Sequence, residues 1–198
     1  MSKPEPIDKP SARDRILAAA NELFYQEGIR AIGIDTVIEK AGVAKMSLYR
    51  AFPSKDDLIA AFLGMRDGLY WEWWDGVVAR HPDDPRQQLT DLFLALAKRT
   101  SSPSYRGCPF VNMAVEFPDH GHPGRAVAEA NKCELRRRMR GLVDGLGVTS
   151  PALLTDQLLL LMEGAYSAGN SLSSNGSSTA VASAAEALIS SHLRENCP

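Results

Sequence analysis

The chain has 198 residues, of which 44% are hydrophobic and 23% are charged, so it can bury a core and is not broadly disordered. Its 22 basic and 24 acidic side chains give a formal charge of −2, which excludes a protein that attracts polyanions through its overall charge. The three cysteines lie far apart, which argues against a disulfide framework and a paired zinc motif.

Residues 1–9 are polar and proline-rich, and they lack the apolar stretch of a signal peptide. We therefore expect a flexible leader and a cytoplasmic protein. The longest apolar run, Leu158–Met162, is much shorter than the roughly 20 residues of a membrane span. No membrane association is predicted.

The first part of the chain predicts a long helix followed by two short ones. Ser11 is a suitable N-cap for a helix of 3.6-residue apolar period that ends at Gly28. A short helix is predicted over Ile34–Ala41, between two glycines. After a turn at Gly42, a second short helix is predicted over Lys45–Phe52.

A fourth helix is predicted to begin at the capping-box sequence S-x-x-D, from Ser54 to Asp57. Further helices follow from apolar periodicity and from prolines at helix starts. They cover Gln87–Arg99, Cys108–Phe117, Gly124–Leu146, Pro151–Gly169 and Thr179–Arg194, with a flexible connection at 170–178. No segment shows convincing strand alternation, so the predicted fold is all-α.

The two short helices and their glycine-containing turn have the pattern of a helix-turn-helix over about residues 33–52. The second helix of such a motif lies in the major groove of DNA. No acidic residue occurs between Gly42 and Lys55, although the stretch contains three basic side chains. We predict DNA contacts from Thr36, Lys45, Met46, Ser47, Tyr49, Arg50 and Lys55.

Each part of this segment has a predicted role. Arg50 shares a helix face with the residues that begin the second short helix. The Tyr49 side chain suits a phosphate or a thymine methyl group, and the Lys55 ammonium suits a phosphate at the start of the fourth helix. Leu48 and Phe52, four residues apart, are predicted to hold the helix against the core. The alternative is a packed helical corner whose basic side chains are merely solvated.

Several short patterns occur together in the order of one known family. They comprise the apolar spacing of the first helix, AGV at the turn, LY, and SK before a leucine, at Ile16, Ala19, Leu23, Phe24, Gly28, Ala41, Gly42, Val43, Leu48, Tyr49, Phe52, Ser54, Lys55 and Leu58. Over about residues 13–63 the chain resembles the N-terminal domain of the TetR family of transcriptional regulators. Gly33 and Ala44 depart from its pattern, since residues with a hydroxyl group are common at these helix starts.

The resemblance implies a DNA-binding domain over residues 10–70 and a regulatory and dimerisation domain over 71–198. It also implies a homodimer on a palindromic double-stranded operator and an unidentified small-molecule effector that lowers operator affinity. Repression is the default in this family. A DNA-binding protein that needs no ligand stays open as an alternative.

The helices at about 151–170 and 179–194 are predicted to form the homodimer interface. The first is too apolar for a solvated helix, and its small residues, such as Gly164 and Ala168, allow another helix to approach closely. A palindromic operator needs a two-fold partner. Alternatively, both helices are buried within one subunit.

Aromatic residues are dense beyond residue 70 and suggest an apolar ligand pocket. Asn112 and Glu116, four residues apart on one helix face, would supply its polar groups. We predict a pocket of Trp71, Trp74, Phe93, Tyr105, Phe110, Asn112, Met113, Glu116 and Tyr166. The same aromatic residues would equally form an ordinary core.

Other constellations are weaker. Cys108 is a candidate redox thiol, or an enzymatic nucleophile with His120 as base, but no spacing orders such a set. His120 and His122, with two nearby carboxylates, are more typical of a solvated loop than of a metal site. The run Arg136–Arg140 is typical of a solvated helix face. We predict no enzymatic activity, no metal and no cofactor.

Overall fold

The computed structural model describes residues 10–171 and 177–194. The predicted leader at 1–9 and residues 172–176 of the predicted connection lie outside the described residues. Within them the chain forms nine α-helices and no strand, which confirms the all-α prediction. The helices are α1 (Ala12–Glu27), α2 (Ile34–Ala41), α3 (Lys45–Ala51), α4 (Lys55–Val78), α5 (Pro85–Thr100), α6 (Pro109–Glu116), α7 (Pro123–Asp144), α8 (Pro151–Ser171) and α9 (Ser177–Arg194).

Two capping boxes fix the starts of α1 and α4. The Ser11 hydroxyl accepts the Asp14 N–H at 3.2 Å, and the Asp14 carboxylate accepts the Ser11 N–H. Ser54 and Asp57 repeat this arrangement at α4, as the sequence predicts. Each box satisfies two backbone donors that a helix start would otherwise leave free. Both starts are therefore encoded locally.

The turn between α2 and α3 depends on Gly42. Its φ of 60° and ψ of 44° lie in the left-handed region, and its N–H donates to the carbonyls of Ile38 and Glu39. A Cβ on Gly42 would meet no atom within 4 Å, so the backbone conformation rather than the space calls for glycine. Arg15 of α1 donates to the Gly42 carbonyl at 3.2 Å and holds the turn against α1.

The first three helices and the start of α4 share one apolar core. Leu48 and Phe52 are buried, as predicted, and the rings of Phe24 and Phe62 meet edge to face at 5.6 Å. This core includes Ile16, Ala20, Phe24, Val37, Leu48, Phe52, Leu58 and Phe62. Because α3 buries these two side chains, its other face must point outward.

The fourth helix joins the two parts of the chain without a break. It spans 24 residues from Lys55 to Val78, so the predicted domain limit at residue 70 falls inside a helix. The Asp67 carboxylate accepts from Trp71 Nε1 at 2.9 Å and from Asn131 Nδ2 of α7 at 2.8 Å. One unbroken helix therefore connects the first three helices to the C-terminal part of the chain.

The remaining helices pack around a second part of the core, formed by side chains such as Phe93, Leu96, Met139, Leu158 and Ile189. Helices α8 and α9 pack against α5 and against each other. The approach of α8 to α5 is close, because a Cβ on Gly169 would lie 2.7 Å from Thr100 Cβ. Glycine is therefore required sterically at residue 169.

The predicted connection at 170–178 was too long at both ends. Helix α8 continues to Ser171, and α9 already begins at Ser177. Helix α5 also begins earlier than predicted, because Asp84 caps it and Pro85 occupies its first turn. Across the part of the chain that the structure covers, no helix combines the length and the hydropathy of a membrane span.

Candidate nucleic-acid interface and interior cavities

The outward face of α3 carries the residues predicted to contact DNA. Met46 is 73% exposed and Tyr49 is 43% exposed, and Lys45 and Arg50 are also exposed. These four side chains are spaced three or four residues apart in pairs, so they share one helix face. Ser47 is half-buried beside them. Thr36 is exposed on the neighbouring helix α2.

The cations of this face are weakly engaged. The Lys45 ammonium lies 3.2 Å from the Asp35 carboxylate, but both side chains are largely exposed. An exposed pair of this kind contributes about 0–1 kcal/mol, so a phosphate can replace the carboxylate. Within residues 10–171 and 177–194, the Arg50 side chain has no hydrogen bond or ion pair. Both cations are therefore available to a polyanion.

The two short helices start without side-chain caps. Neither Gly33 nor Ala44 provides a capping hydrogen bond, because neither residue has a side-chain oxygen. At α3 the Ser47 N–H donates to the Ala44 carbonyl at 2.8 Å, which closes the first turn through the backbone alone. The free N–H groups at this end point outward and favour an anion.

Lys55 differs from its predicted role. Its ammonium donates to the carbonyls of Ile29 and Ile32, at 2.9 and 2.7 Å, and the side chain is half-buried. Burial lowers the pKa of Lys55. The group holds the turn between α1 and α2 to the start of α4, so the structure does not support the expectation that its ammonium is free for a phosphate.

Glu116 also differs from its predicted place in a ligand pocket. Its carboxylate accepts the backbone N–H of Arg30 at 2.8 Å, and it lies 3.7 Å from the position of a Cβ on Gly28. Helix α6 therefore reaches across to the turn between α1 and α2. The contact links the C-terminal helices to the helix-turn-helix.

Two more contacts join the same regions. The Tyr25 hydroxyl of α1 donates to the Gly107 carbonyl and accepts the Arg106 N–H, both at 3.2 Å. His122 Nε2, before α7, lies 3.3 Å from the Asp56 carboxylate at the start of α4. The His122 ring is nearly buried, and its Nδ1 accepts the Gly124 N–H at 3.0 Å. The first helices are thus held at several points.

A small inner cavity of about 10 Å³ lies among α4, α5, α6 and α8. Three predicted pocket residues, Tyr105, Phe110 and Tyr166, line it. The Tyr166 hydroxyl donates to the Tyr70 hydroxyl, and the Tyr105 hydroxyl donates to the Tyr166 carbonyl, both at 3.2 Å. Burial raises the pKa of each of these three phenols, so they stay neutral donors at physiological pH.

Two larger spaces adjoin the inner cavity. An outer cavity of about 160 Å³ shares Gly107, Cys108 and Tyr166 with it and is also lined by Asn112. A groove of about 670 Å³ runs between α6 and α7 and includes Phe110. Its volume is in the range of small-molecule sites. The predicted pocket region therefore contains real space around α6.

Other predicted pocket residues serve the core instead. Trp74, Phe93 and Met113 are buried and line none of these three spaces. Trp71 donates to Asp67, and the Arg138 guanidinium lies 4.3 Å from the centre of a Trp71 ring. These four residues therefore pack in or against the core, which is the alternative that the sequence left open.

The sequence reading missed two arginines that line the inner cavity, Arg66 and Arg99. A signal for the first was present. Arg66 lies midway between Phe62 and Tyr70 in steps of four residues, and both aromatic side chains are buried. A cation on the buried face of a helix is a feature that apolar periodicity alone can reveal.

The residues weighed for a catalytic thiol or a metal site have other partners in the structure. The Cys108 thiol lies 3.6 Å from the Lys132 ammonium, whereas His120 contacts Glu129 and Arg125. The residues weighed as metal ligands have separate partners, with Glu116 on Arg30 and His122 beside Asp56. The structure, in the residues it describes, holds no cluster of three or more potential ligands.

The arginines of α7 are paired on the surface. Arg137 and Arg138 both donate to Glu134, which lies three and four residues before them on the helix. Arg136 pairs with Asp156, and Arg140 pairs with Asp144. These side chains therefore form an ion-paired helix face.

The N-terminal region matches a known family. Residues 16–62 match the family model described as bacterial regulatory proteins, tetR family. A crystal structure of a TetR-family transcriptional regulator from Streptomyces coelicolor, SCO4454, superposes with a TM-score of 0.81 at 29% identity, covering 93% of this chain and 95% of that one. The chain carries a TetR-family DNA-binding domain. It is a transcriptional regulator with a DNA-binding helix-turn-helix.

Curated relatives of this TetR-family regulator agree. The chain is 25% identical over 155 residues to the HTH-type transcriptional regulator YjdC of Escherichia coli, covering 78% of this chain and 81% of YjdC. It is 32% identical over 98 residues to the HTH-type transcriptional repressor KstR2 of Mycolicibacterium smegmatis, covering 48% of this chain and 46% of KstR2. The family and these similar proteins are regulators rather than enzymes.

Proposed function

We propose that this TetR-family regulator is a cytoplasmic, ligand-released repressor that binds a palindromic operator as a homodimer. The outward face of α3 carries the proposal. It presents Lys45, Met46, Tyr49 and Arg50 while Leu48 and Phe52 hold the helix rigidly from behind.

The proposed DNA contacts follow from the position of each side chain on α3. Lys45 and Met46 lie in the first turn, the part of a recognition helix that approaches base edges. Arg50 lies one turn further and suits bidentate contact with a guanine. Tyr49 and Thr36 are placed at the edge, where their hydroxyl groups suit phosphates. Ser47 is only half-exposed and would contribute less.

The proposed homodimer uses α8 and α9. Leu153 and Leu160 on α8 are 54% and 73% exposed, and Gly164 and Ser167 continue the same exposed face. On α9 the exposed residues that share one face are Ala180, Ser183 and Ala187. Leucines beside small residues suit close packing of helices from two subunits. A two-fold pair of recognition helices would then match a palindrome.

The proposed effector binds around α6, at the cavities between α4, α5, α6 and α8. Gly107, which lines the inner cavity, accepts the Tyr25 hydroxyl of α1, and Glu116 of α6 holds the Arg30 N–H. A ligand that moves α6 or α4 would therefore shift the helix-turn-helix through these contacts. A coupling of about 1–3 kcal/mol would lower operator affinity roughly five- to 150-fold.

Selection of bound duplexes from a random DNA pool tests the proposal. We expect an enriched palindrome whose half-sites lie about one helical turn, roughly 10 base pairs, apart. The same duplex should exceed scrambled DNA in affinity by at least about 10³-fold. Enrichment of no sequence, with binding that depends only on salt, would instead indicate a ligand-independent and non-specific DNA-binding protein.

A further inference from the structure

Two guanidinium groups face the inner cavity. Arg66 of α4 and Arg99 of α5 have no ion pair or hydrogen bond from their side chains to any residue within 10–171 and 177–194. The Arg66 Cζ lies 3.9 Å from the centre of the Tyr25 ring, and the Arg99 Cζ lies 5.2 Å from a Trp73 ring centre. Aromatic rings offset only part of the cost of removing a guanidinium from water.

Among the described residues, Arg66 and Arg99 lack the carboxylate partners that several arginines have elsewhere in the chain. On α7, by contrast, each arginine of the run 136–140 has an acidic partner. Beside the cavity the acids are already engaged. Asp67 accepts from Trp71 and Asn131, and Glu163 is held by the Lys132 ammonium.

The cavity therefore carries uncompensated positive charge. The Arg66 Nε is buried and has no hydrogen-bond acceptor among the residues that the structure describes. Burial lowers the pKa of Arg66; the neighbouring Tyr25 opposes this shift, and the charge of Arg99 adds the smallest of the three influences, in the lowering direction. A space of about 10 Å³ accommodates one water molecule, which would satisfy a donor but would neutralise neither charge.

We propose that Arg66 and Arg99 bind the carboxylate of an anionic effector whose apolar body lies against Phe110 and Tyr166. A guanidinium presents a planar pair of donors that matches a carboxylate. The aromatic walls favour a flat or aliphatic body over a highly hydrated ion. The regulatory consequence rests on the proposed function above, whereas binding of the carboxylate does not.

Entry of the ligand requires a movement of the wall. The inner cavity is too small for a carboxylate and its body, but it adjoins the outer cavity of about 160 Å³ through Gly107, Cys108 and Tyr166. Tyr105 lines the inner cavity and belongs to the loop at residues 101–107, whose first four residues are exposed. Displacement of this loop, which also carries Gly107 of the shared wall, would open the inner cavity toward the outer one.

The same guanidinium connects the ligand to the DNA-binding helices. Arg66 stacks on Tyr25 of α1, and the Tyr25 hydroxyl is bonded to Gly107 and Arg106 in the cavity wall. A carboxylate that draws Arg66 toward Arg99 would weaken this stacking. Helix α1, and with it the α2–α3 pair, would then be less firmly held.

Direct binding to the full chain tests the proposal. Binding of benzoate and octanoate is compared with binding of benzamide, octanamide and inorganic phosphate. The readout is the fluorescence of the three tryptophans, which all lie at 71–74. We expect at least one carboxylate to bind at least about tenfold more tightly than its amide, since hydrogen bonds to charged groups are the stronger ones. Arg66→Met and Arg99→Met should abolish that preference, and the exposed-site control Arg80→Met should retain it.

A second measurement covers the stability of the free protein. Without an anion, Arg99→Met should raise the melting temperature, because it removes one of two neighbouring half-buried guanidinium charges that have no acidic partner in the described residues, whereas Arg80→Met should not. The proposal is overturned if the amides or phosphate bind as well as the carboxylates, if no carboxylate binds, or if Arg99→Met lowers the melting temperature. Carboxylate binding that leaves operator affinity unchanged would preserve the site and refute its regulatory role.

Discussion

The helix-turn-helix region and the C-terminal region differ in the kind of side chain that each exposes and the kind that each keeps inside. In α3 the Leu48 side chain is buried and the cations are exposed, with Arg50 free of partners in the described chain. In the C-terminal helices Leu160 is 73% exposed, while Arg66 and Arg99 line an interior cavity. Unpaired charge and exposed apolar surface both carry a cost in free energy. We therefore infer that each region acts with a partner: DNA for one, and the proposed second subunit and anionic effector for the other.

The two faces of α3 give the largest expected effect. Leu48→Ala removes a fully buried side chain, and we expect a loss of about 2–5 kcal/mol in the free energy of unfolding. Met46→Ala on the opposite face should change it by less than about 0.5 kcal/mol. Urea unfolding measures both variants. Equal losses would mean that α3 does not have a buried and an exposed side.

Leu160, one of the exposed leucines of α8, provides a test of the C-terminal region. Leu160→Glu should weaken the homodimer by about 2–3 kcal/mol, because it places a charge in an apolar interface. Sedimentation at micromolar concentration should then show monomers. Leu94→Glu is the matched control, since Leu94 is 53% exposed on α5, away from that face. A dimer that tolerates Leu160→Glu would have to use another surface.

The contact between the regions has a smaller expected effect. Glu116→Ala removes the acceptor of the Arg30 N–H and should cost about 1–1.5 kcal/mol of unfolding free energy. Glu116→Gln keeps an acceptor oxygen and should recover most of that loss. Chemical denaturation of the two variants tests the contact between Glu116 and Arg30. If Glu116→Ala left the free energy of unfolding unchanged, the two regions would not be joined there.

The paired surface arginines should show the smallest effect. Hydrogen bonds from Arg137 and Arg138 lower the pKa of Glu134 to about 2. A lowered pKa stabilises the fold above the unfolded value near 4.5, and this contribution disappears as the pH falls toward 2. Because the pair is exposed, Glu134→Gln should cost less than about 1 kcal/mol at pH 7 and low salt.

Thermal unfolding of Glu134→Gln across pH and salt checks this expectation. The difference from the wild type should shrink at high salt and vanish near pH 2. A difference that persists under both conditions would indicate that Glu134 acts through packing rather than charge.

The sequence predicted the first four helices well because their signals are local. The Ser54–Asp57 box, the left-handed Gly42 and the apolar spacing each act within a few residues. The sequence did not reveal the partners of Lys55 and Glu116, because these partners lie 23 to 86 residues away along the chain. Periodicity says which face a side chain occupies, but only the packed structure decides which carbonyl or N–H it meets.

The same distinction explains the cavity. The aromatic density beyond residue 70 singled out Tyr105, Phe110 and Tyr166, and these three residues line the inner cavity. It could not separate cavity walls from filled core, as the buried Phe93 shows. Which spaces stay open depends on the packing of several helices at once.

Operator affinity of a double variant, Lys45→Ala with Arg50→Ala, tests most directly whether the outward face of α3 binds DNA. On the selected duplex at fixed salt we predict a loss of at least about 2 kcal/mol, roughly 30-fold, together with a lower preference over scrambled DNA. The melting temperature should stay near that of the wild type, since both side chains are exposed. Unchanged affinity and unchanged sequence preference would contradict the assignment of α3 as the recognition helix.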